Sequence, residues 1–228
     1  NSAMRKNNAL YVVATPIGND DDITLRAINT LKSADALICE EYRNGNRLLR
    51  KLNIENKEII SLNEHNEPAQ IENILIRLAQ GQSLALVSDC GTPLFSDPGH
   101  KLISEVSAAG FRVVPVPGAS ALTAAISVAP LHLKKFYFAG FLPPASERRL
   151  AELRRIKSRQ ENIPVILMDT PYRLAAVLKD VCNIFGKEHK ITLACDLTTE
   201  DERILTGSCA EIMKEIGAKK AEFMLIIH

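Results

Sequence analysis

The stretch that decides the fold runs LALVSDCGTPLFSDPG over residues 84–99. An apolar run that ends abruptly in aspartate, glycine and proline is typical of a buried parallel strand followed by a loop. Ligands of open α/β sheets bind where such strands end, so we predict a strand over 84–88 and a binding loop after it. The alternative is a plain turn in which Asp97 caps the helix that begins near Pro98.

The first half of the chain repeats this pattern of short apolar runs and longer amphipathic segments. Ile71, Ile74, Leu75 and Leu78 recur at helical spacing, and Asp22 is the expected N-cap of the first helix. We predict strands at 10–14, 36–39, 58–61, 84–88 and 112–116, with helices at 23–32, 43–52, 67–79 and 99–109. Apolar strands that alternate with helices favour a mostly parallel sheet covered on both faces.

The second half changes character after Pro130. Here the predicted strands are 136–140, 164–168, 190–195, 202–205 and 222–227, and the predicted helices are 120–128, 146–157, 172–184 and 208–215. Residues 196–201 indicate a hairpin turn, so we expect a mixed sheet. The fold class is therefore α/β with two α/β domains, which we place at 4–116 and 117–228.

Composition narrows the class of protein. The hydrophobic share of 46% and the charged share of 24% are those of a soluble globular protein. A net charge of +1 excludes a strong overall field for nucleic acid, so a polyanionic substrate needs a local basic patch. Five cysteines without a CxxC pair predict reduced thiols in a cytoplasmic protein and no metal site. No apolar run is long enough for a membrane span.

Three further loops and one polar segment have the same placement after predicted strands. The loops are TPIGN at 15–19, PGASA at 117–121 and GFLPP at 140–144, and none is a GxGxxG or Walker motif. The segment SLNEHNE at 61–67 contains Glu64 and His65, which could position a substrate hydroxyl. The alternative is a surface loop in which Glu67 begins a helix, and a metal site there lacks a second histidine.

Taken in order, these motifs resemble one family. The segments are TPIGN at 15–19, DITLRA at 22–27, NEHNE at 63–67, SDCGTP at 88–93, SDPG at 96–99, PGASA at 117–121 and GFLP at 140–143. They are similar to the ribosomal small-subunit methyltransferase I family of the tetrapyrrole methylase superfamily, whose members methylate a cytidine 2′-hydroxyl of 16S rRNA.

The resemblance implies a fold, a cofactor and partners. It implies S-adenosylmethionine in a cleft between the two domains, a homodimer and the small ribosomal subunit RNA as substrate. The residues that it implies for the cofactor are Ser88, Asp89, Gly91, Thr92, Pro93, Asp97, Ser120, Ala121, Phe141, Leu142 and Met168. For the substrate it implies Pro16, Gly18 and Asn19.

The sequence also departs from the pattern of that family. Where the family has Glu-Asp-Thr-Arg, this chain has Glu-Glu-Tyr-Arg at 40–43, and where it has Glu-Ser-Pro-His-Arg, this chain has Asp-Thr-Pro-Tyr-Arg at 169–173. The stretch Arg-Glu-Leu-Thr-Lys has become Cys-Asp-Leu-Thr-Thr at 195–199, which removes two basic side chains of the kind that contact RNA phosphates.

Methyl transfer to a ribose hydroxyl needs alignment and a proton acceptor. We predict Glu64 or His65 as that acceptor, with Asn66 orienting it. Arg43 and Arg47, followed by Arg50 and Lys51, form a candidate phosphate patch on the second helix, and four arginines at 148, 149, 154 and 155 form another. Two alternatives stay open: a relative that methylates a small planar molecule or another RNA, and a paralogue that binds cofactor or RNA without turnover.

Overall fold

A computed structural model describes residues 8–93, 99–159 and 161–228. The chain folds into two compact units, of which the first ends at Ser120 and the second begins at Ala121. Each unit has its own five-stranded sheet. The α/β class is confirmed, with a parallel sheet in the first half and a mixed sheet in the second.

The N-terminal unit alternates strands and helices along the chain. Its strands are β1 (Ala9–Val13), β2 (Ala36–Cys39), β3 (Glu58–Ser61), β4 (Leu84–Leu86) and β5 (Arg112–Val116), and its helices are α1 (Leu25–Ser33), α2 (Tyr42–Lys51), α3 (Glu67–Ala79) and α4 (His100–Ala108). The strand order is β3-β2-β4-β1-β5, and all pairs are parallel. Apolar side chains on both faces of β2 explain its unbroken apolar sequence.

Two separate apolar clusters cover the two faces of this sheet. On one face Leu31 of α1 and Leu49 of α2 pack with Leu37 and Ala85 of the strands. On the other face side chains of α3 and α4 pack with Leu10, Ile38 and Leu84. The helices α1 and α2 therefore lie on the face opposite α3 and α4.

The C-terminal unit is built around β10 at the centre of its sheet. Its strands are β6 (Tyr137–Gly140), β7 (Val165–Asp169), β8 (Lys190–Cys195), β9 (Arg203–Ser208) and β10 (Phe223–Ile227), and its helices are α5 (Ala121–Val128), α6 (Ser146–Lys157), α7 (Leu174–Phe185) and α8 (Cys209–Ile216). The order is β6-β7-β10-β8-β9, parallel between β6 and β7 and antiparallel elsewhere. The predicted hairpin after residue 195 is confirmed, since β8 and β9 pair antiparallel.

Some sequence-based predictions of the ends of elements were wrong. The N-cap of α1 is Thr24, whose side chain accepts a hydrogen bond from the Ala27 amide, whereas Asp22 belongs to a preceding 3₁₀ turn at Asp20–Asp22. Threonine and aspartate are both favoured N-caps, so composition alone could not choose between them. The strand predicted to reach residue 88 ends at Leu86. The role predicted for Asp97 concerns a residue outside the described part of the chain.

Candidate active site in the N-terminal unit

The carboxyl ends of β2 and β4 form the switch point of the parallel sheet. The two strands are neighbours, yet the helix after β2 lies on one face of the sheet and the helix after β4 lies on the other. The loops that follow such strands diverge and leave a crevice between them. This edge of the sheet is therefore where the topology provides room for a ligand.

Hydrogen bonds join the loops that follow β1, β4 and β5 at this edge. Thr15 and Gly91 form an isolated antiparallel bridge with N–O distances of 3.0 and 3.1 Å. The amide of Ala14 donates to the carbonyl of Val116, and the hydroxyl of Thr92 donates to the carbonyl of Ala119 at 3.0 Å. Three of the four loops that the sequence selected are thus joined by hydrogen bonds, and the loop at 140–144 is not among them.

Gly91 is the residue that makes this arrangement possible. Its φ of +74° lies in the left-handed region, and a Cβ atom at this position would lie 3.1 Å from Cγ2 of Ile17. A side chain here would strain the backbone and crowd the loop after β1. Gly91 therefore lets the loop after β4 pass close to the loop after β1.

A cavity of about 470 Å³ opens beside these loops, on the face of the sheet covered by α1 and α2. That volume lies within the range of small-molecule sites. Its polar walls carry three carboxylates and two cations, and its other walls are mainly apolar. The cavity is lined by Thr15, Pro16, Asp20, Asp21, Ile23, Cys39, Asn44, Gly45, Arg47, Leu48, Lys51, Leu52, Val87, Ser88 and Asp89.

Two polar pairs fix side chains across the cavity. The amide nitrogen of Asn44, on α2, donates to a carboxylate oxygen of Asp89, after β4, at 2.8 Å. The ammonium of Lys51 lies 2.9 Å from a carboxylate oxygen of Asp20. The pair of Asn44 and Asp89 is the better fixed of the two, because two short side chains lose less conformational entropy than a lysine does when they are held in one geometry.

Cys39 and Gly45 shape the floor of the cavity where α2 approaches β2. A Cβ atom on Gly45 would lie only 2.7 Å from the Cys39 sulfur. The absence of a side chain at Gly45 therefore lets α2 approach β2 this closely. Burial raises the pKa of the Cys39 thiol to about 11, the Gly45 backbone hydrogen bond opposes this, and the charge of Asp89 adds to it. The thiol stays protonated at neutral pH and is not a nucleophile.

Thr15 is a site residue that the sequence analysis did not select. It is buried at the cavity, and among the described residues its hydroxyl oxygen has no hydrogen-bond partner. Buried polar groups are nearly always paired, so an orphaned hydroxyl at a strand end indicates a place that a ligand completes. The only sequence signal for Thr15 as a site residue was its position between a buried strand and Pro16. A threonine in that position is equally typical of an ordinary strand end.

Glu64 and His65 lie in the loop after β3 and do not line this cavity. Both side chains are 86% exposed, and the imidazole Nε2 lies 3.8 Å from a Glu64 carboxylate oxygen. Asn66 is different, because its side chain accepts from the Asn63 amide and donates to the Ser61 carbonyl. Asn66 therefore holds the turn that begins α3.

The predicted basic patches and substrate residues divide into exposed and structural ones. Arg43 is exposed, whereas Arg47 and Pro16 line the cavity. Asn19 caps the 3₁₀ turn whose first residue, Asp20, also lines the cavity. Gly18 is exposed in the same loop. The patch that included Arg149 was wrong: this guanidinium is buried and lies 2.6 Å from the Asp180 carboxylate.

The residues predicted for the cofactor in the C-terminal unit have different environments. Leu142 is buried in the apolar core of that unit with side chains of α6 and α7. Phe141 is exposed, and Met168 is half-buried in β7 on the face opposite its neighbour Leu167. Ala121 begins α5, directly after Ser120.

Comparison with known proteins places this architecture in a family. The profile of the tetrapyrrole (corrin/porphyrin) methylases matches residues 9–213. The chain belongs to this family. It is 42% identical over 224 residues to ribosomal RNA small subunit methyltransferase I of Neisseria meningitidis serogroup B, covering 96% of this chain and 75% of that protein. It is 38% identical over 212 residues to the protein of the same name from Thermotoga maritima, covering 92% and 93%.

Solved structures share the fold at much lower identity. Cobalt precorrin-4 methyltransferase, a cobalamin biosynthetic enzyme, superposes with a TM-score of 0.68 at 18% identity over 100% of this chain and 98% of its own. Uroporphyrin-III-C-methyltransferase from Thermus thermophilus gives 0.65 at 15% identity over 96% and 94%. The family resemblance and the enzyme class, an S-adenosylmethionine-dependent methyltransferase, are confirmed. Within the described residues no helix is long and apolar enough to cross a membrane.

Proposed function

We propose that this protein transfers a methyl group from S-adenosylmethionine to the 2′-hydroxyl of a cytidine in the RNA of the small ribosomal subunit. The relatives with 36–42% identity are named for methylation of that RNA, which supports the substrate class. The observation that carries the proposal is the Thr15–Gly91 bridge, which fixes the expected cofactor loop against the cavity of the N-terminal unit.

The residues at the sheet edge fit a cofactor of this kind. Gly91 keeps the backbone of its loop free of a side chain, and the buried Thr15 hydroxyl lacks a partner within the described chain. We assign Gly91, Thr92 and Pro93 to the cofactor, together with Ser120 and Ala121 at the start of α5. Phe141 and Met168 of the C-terminal unit are proposed as further contacts.

S-adenosylmethionine supplies an electrophilic methyl group on a sulfonium ion. The task of the protein is alignment, because the acceptor oxygen must lie in line with the bond that breaks. Fixed loops serve this purpose better than mobile ones, and the loops after β1, β4 and β5 are joined by hydrogen bonds. Glu64 and His65 stay our predicted acceptors of the hydroxyl proton, since the loop after β3 lies at the same edge of the sheet. The homodimer and the cytoplasmic location also stay predictions.

Calorimetry with two glycine variants tests the cofactor assignment. Gly91→Ala should weaken S-adenosylmethionine binding at least tenfold, because the added methyl group strains the loop and crowds Ile17. Gly110→Ala is the matched control: its φ of +82° imposes a similar strain, but no atom lies within 4 Å of its Cβ, in the turn between α4 and β5. Equal affinities in both variants would contradict the assignment.

A further inference from the structure

The cavity beside α2 has the chemistry of a site for one unstacked base. Apolar side chains of Pro16, Ile23 and Leu48 line it, and the polar pair of Asn44 and Asp89 stands among them. Enzymes that do chemistry on a base of RNA or DNA move its nucleotide out of the stack and hold the base in such a pocket. The cavity volume of about 470 Å³ leaves room for a pyrimidine ring and its ribose.

The hydrogen bond between Asn44 and Asp89 determines what this pair offers to a ligand. A carboxylate only accepts hydrogen bonds, so the nitrogen of the Asn44 amide must face Asp89, as the 2.8 Å contact shows. One carboxylate oxygen is used in this contact, and one amide hydrogen. The pair then has a second carboxylate oxygen as an acceptor and a second amide hydrogen as a donor, besides the carbonyl oxygen of Asn44.

This pattern is complementary to the edge of a base with an amino group. Cytosine offers its N4 amino group as a donor next to the N3 acceptor, whereas uracil offers an O4 acceptor next to the N3 donor. In the orientation that places the ring N3 against the Asn44 amide, uracil would set its O4 against the Asp89 carboxylate and its N3–H against the amide donor, and both mismatches cost free energy. We propose that Asn44 and Asp89 recognise the cytosine base of an unstacked nucleotide of the RNA substrate.

The charges on the same helix suit the phosphates on either side of that nucleotide. Arg47 is three residues and Lys51 seven residues after Asn44, so all three lie on one face of α2, and all three line the cavity. Lys51 is already held in place by Asp20. A base in the cavity would thus have cations along α2 to contact its backbone, which supplies locally what the net charge of +1 does not.

This inference rests on the proposed function, and its test separates the two. Wild-type protein is first given unmethylated small ribosomal subunits and S-adenosylmethionine with a labelled methyl group, and the labelled nucleotide is mapped. Subunits with cytidine or uridine at that position are then compared by kcat/KM. Asp89→Asn replaces the acceptor with an amide, which can donate, so the preference for cytidine over uridine should fall roughly tenfold or more.

Asp21→Asn is the matched control, because Asp21 lines the same cavity and its substitution removes the same charge. It should leave the ratio of the two substrates unchanged. Asn44→Leu, which removes the donor, should lower the ratio as Asp89→Asn does, and it tests the pair should Asp89→Asn fail to fold. Circular dichroism and thermal unfolding identify variants that retain their structure.

Each outcome has one meaning. Absence of label with wild-type protein contradicts the proposed function itself. Label with an unchanged cytidine preference in Asp89→Asn overturns the assignment of Asn44 and Asp89 while the proposed function stands. Weaker S-adenosylmethionine binding in Asp89→Asn than in Asp21→Asn also overturns it, because Asp89 would then belong to the cofactor.

Discussion

The two units of this protein hold certain polar side chains in contrasting environments. At the sheet edge of the N-terminal unit Asp89 is exposed, and Thr15 is buried without a hydrogen-bond partner among the described residues. In the C-terminal unit Arg149 and Asp180 form a buried ion pair, and Thr192 hydrogen-bonds to two side chains. We infer that Arg149, Asp180 and Thr192 stabilise the fold of the second unit, whereas Thr15 and Asp89 await a ligand in the first.

The largest effect is expected where the buried ion pair of the C-terminal unit is broken. Arg149→Ala leaves the Asp180 carboxylate buried without its partner and also removes the hydrogen bond to the Pro144 carbonyl. The free energy of unfolding should fall by about 3–5 kcal/mol. Chemical denaturation measures this change.

Arg148→Ala is the control for the ion pair. Arg148 is the preceding residue of α6 and is exposed, so its loss should change the free energy of unfolding by less than about 0.5 kcal/mol. Similar values for the two variants would show that Arg149 is an ordinary surface arginine, and the contrast between the units would lose its main support.

A smaller effect is expected at the floor of the cavity in the N-terminal unit. Gly45→Ala places a methyl group 2.7 Å from the Cys39 sulfur, and this overpacking should lower the free energy of unfolding by about 1–3 kcal/mol. Adding Cys39→Ala removes the sulfur and should recover part of the loss. A double-mutant cycle by denaturation gives the coupling, and strictly additive effects would argue against direct contact between the two positions.

The smallest effect compares two buried threonines and differs in sign between the units. Thr192→Val leaves Thr206 and His228 without their shared partner, so the unfolding free energy should fall by about 1–2 kcal/mol. Thr15→Val removes a hydroxyl that makes no hydrogen bond in the described structure, and stability should stay the same or rise. Thermal unfolding of the two variants under the same conditions measures this difference. A loss of stability in Thr15→Val equal to that in Thr192→Val would contradict the contrast between the two units.

Much of the fold could be predicted from local sequence. The strands β2, β3, β5 and β8 and the helices α3 and α6 have the predicted bounds, because an apolar run with polar ends or a helical period is a local signal. The sequence also selected the strand-end loops at 15–19, 88–93 and 117–121, which hydrogen bonds join in the structure. Parallel strands bring their carboxyl ends to one edge, so the placement followed from the fold class.

Pairings between distant residues could not be predicted in this way. Asn44 and Asp89 are 45 residues apart, and Arg149 and Asp180 are 31 residues apart. An arginine on an amphipathic helix has the same sequence signature whether it binds phosphate or a buried carboxylate, which is why Arg149 was misassigned. Thr15 escaped selection for a similar reason, since a threonine at a strand end gives no sign of whether its hydroxyl has a partner.

The most direct test of the central claim is the identity of the methylated atom. Purified protein is incubated with S-adenosylmethionine carrying a labelled methyl group and with small ribosomal subunits that lack their own cytidine methylation, and the RNA is digested to nucleosides. We predict label in 2′-O-methylcytidine, and its loss when Gly91 is changed to alanine but not when Gly110 is. Label in another nucleoside, or no label from protein that binds the cofactor by calorimetry, would contradict the account.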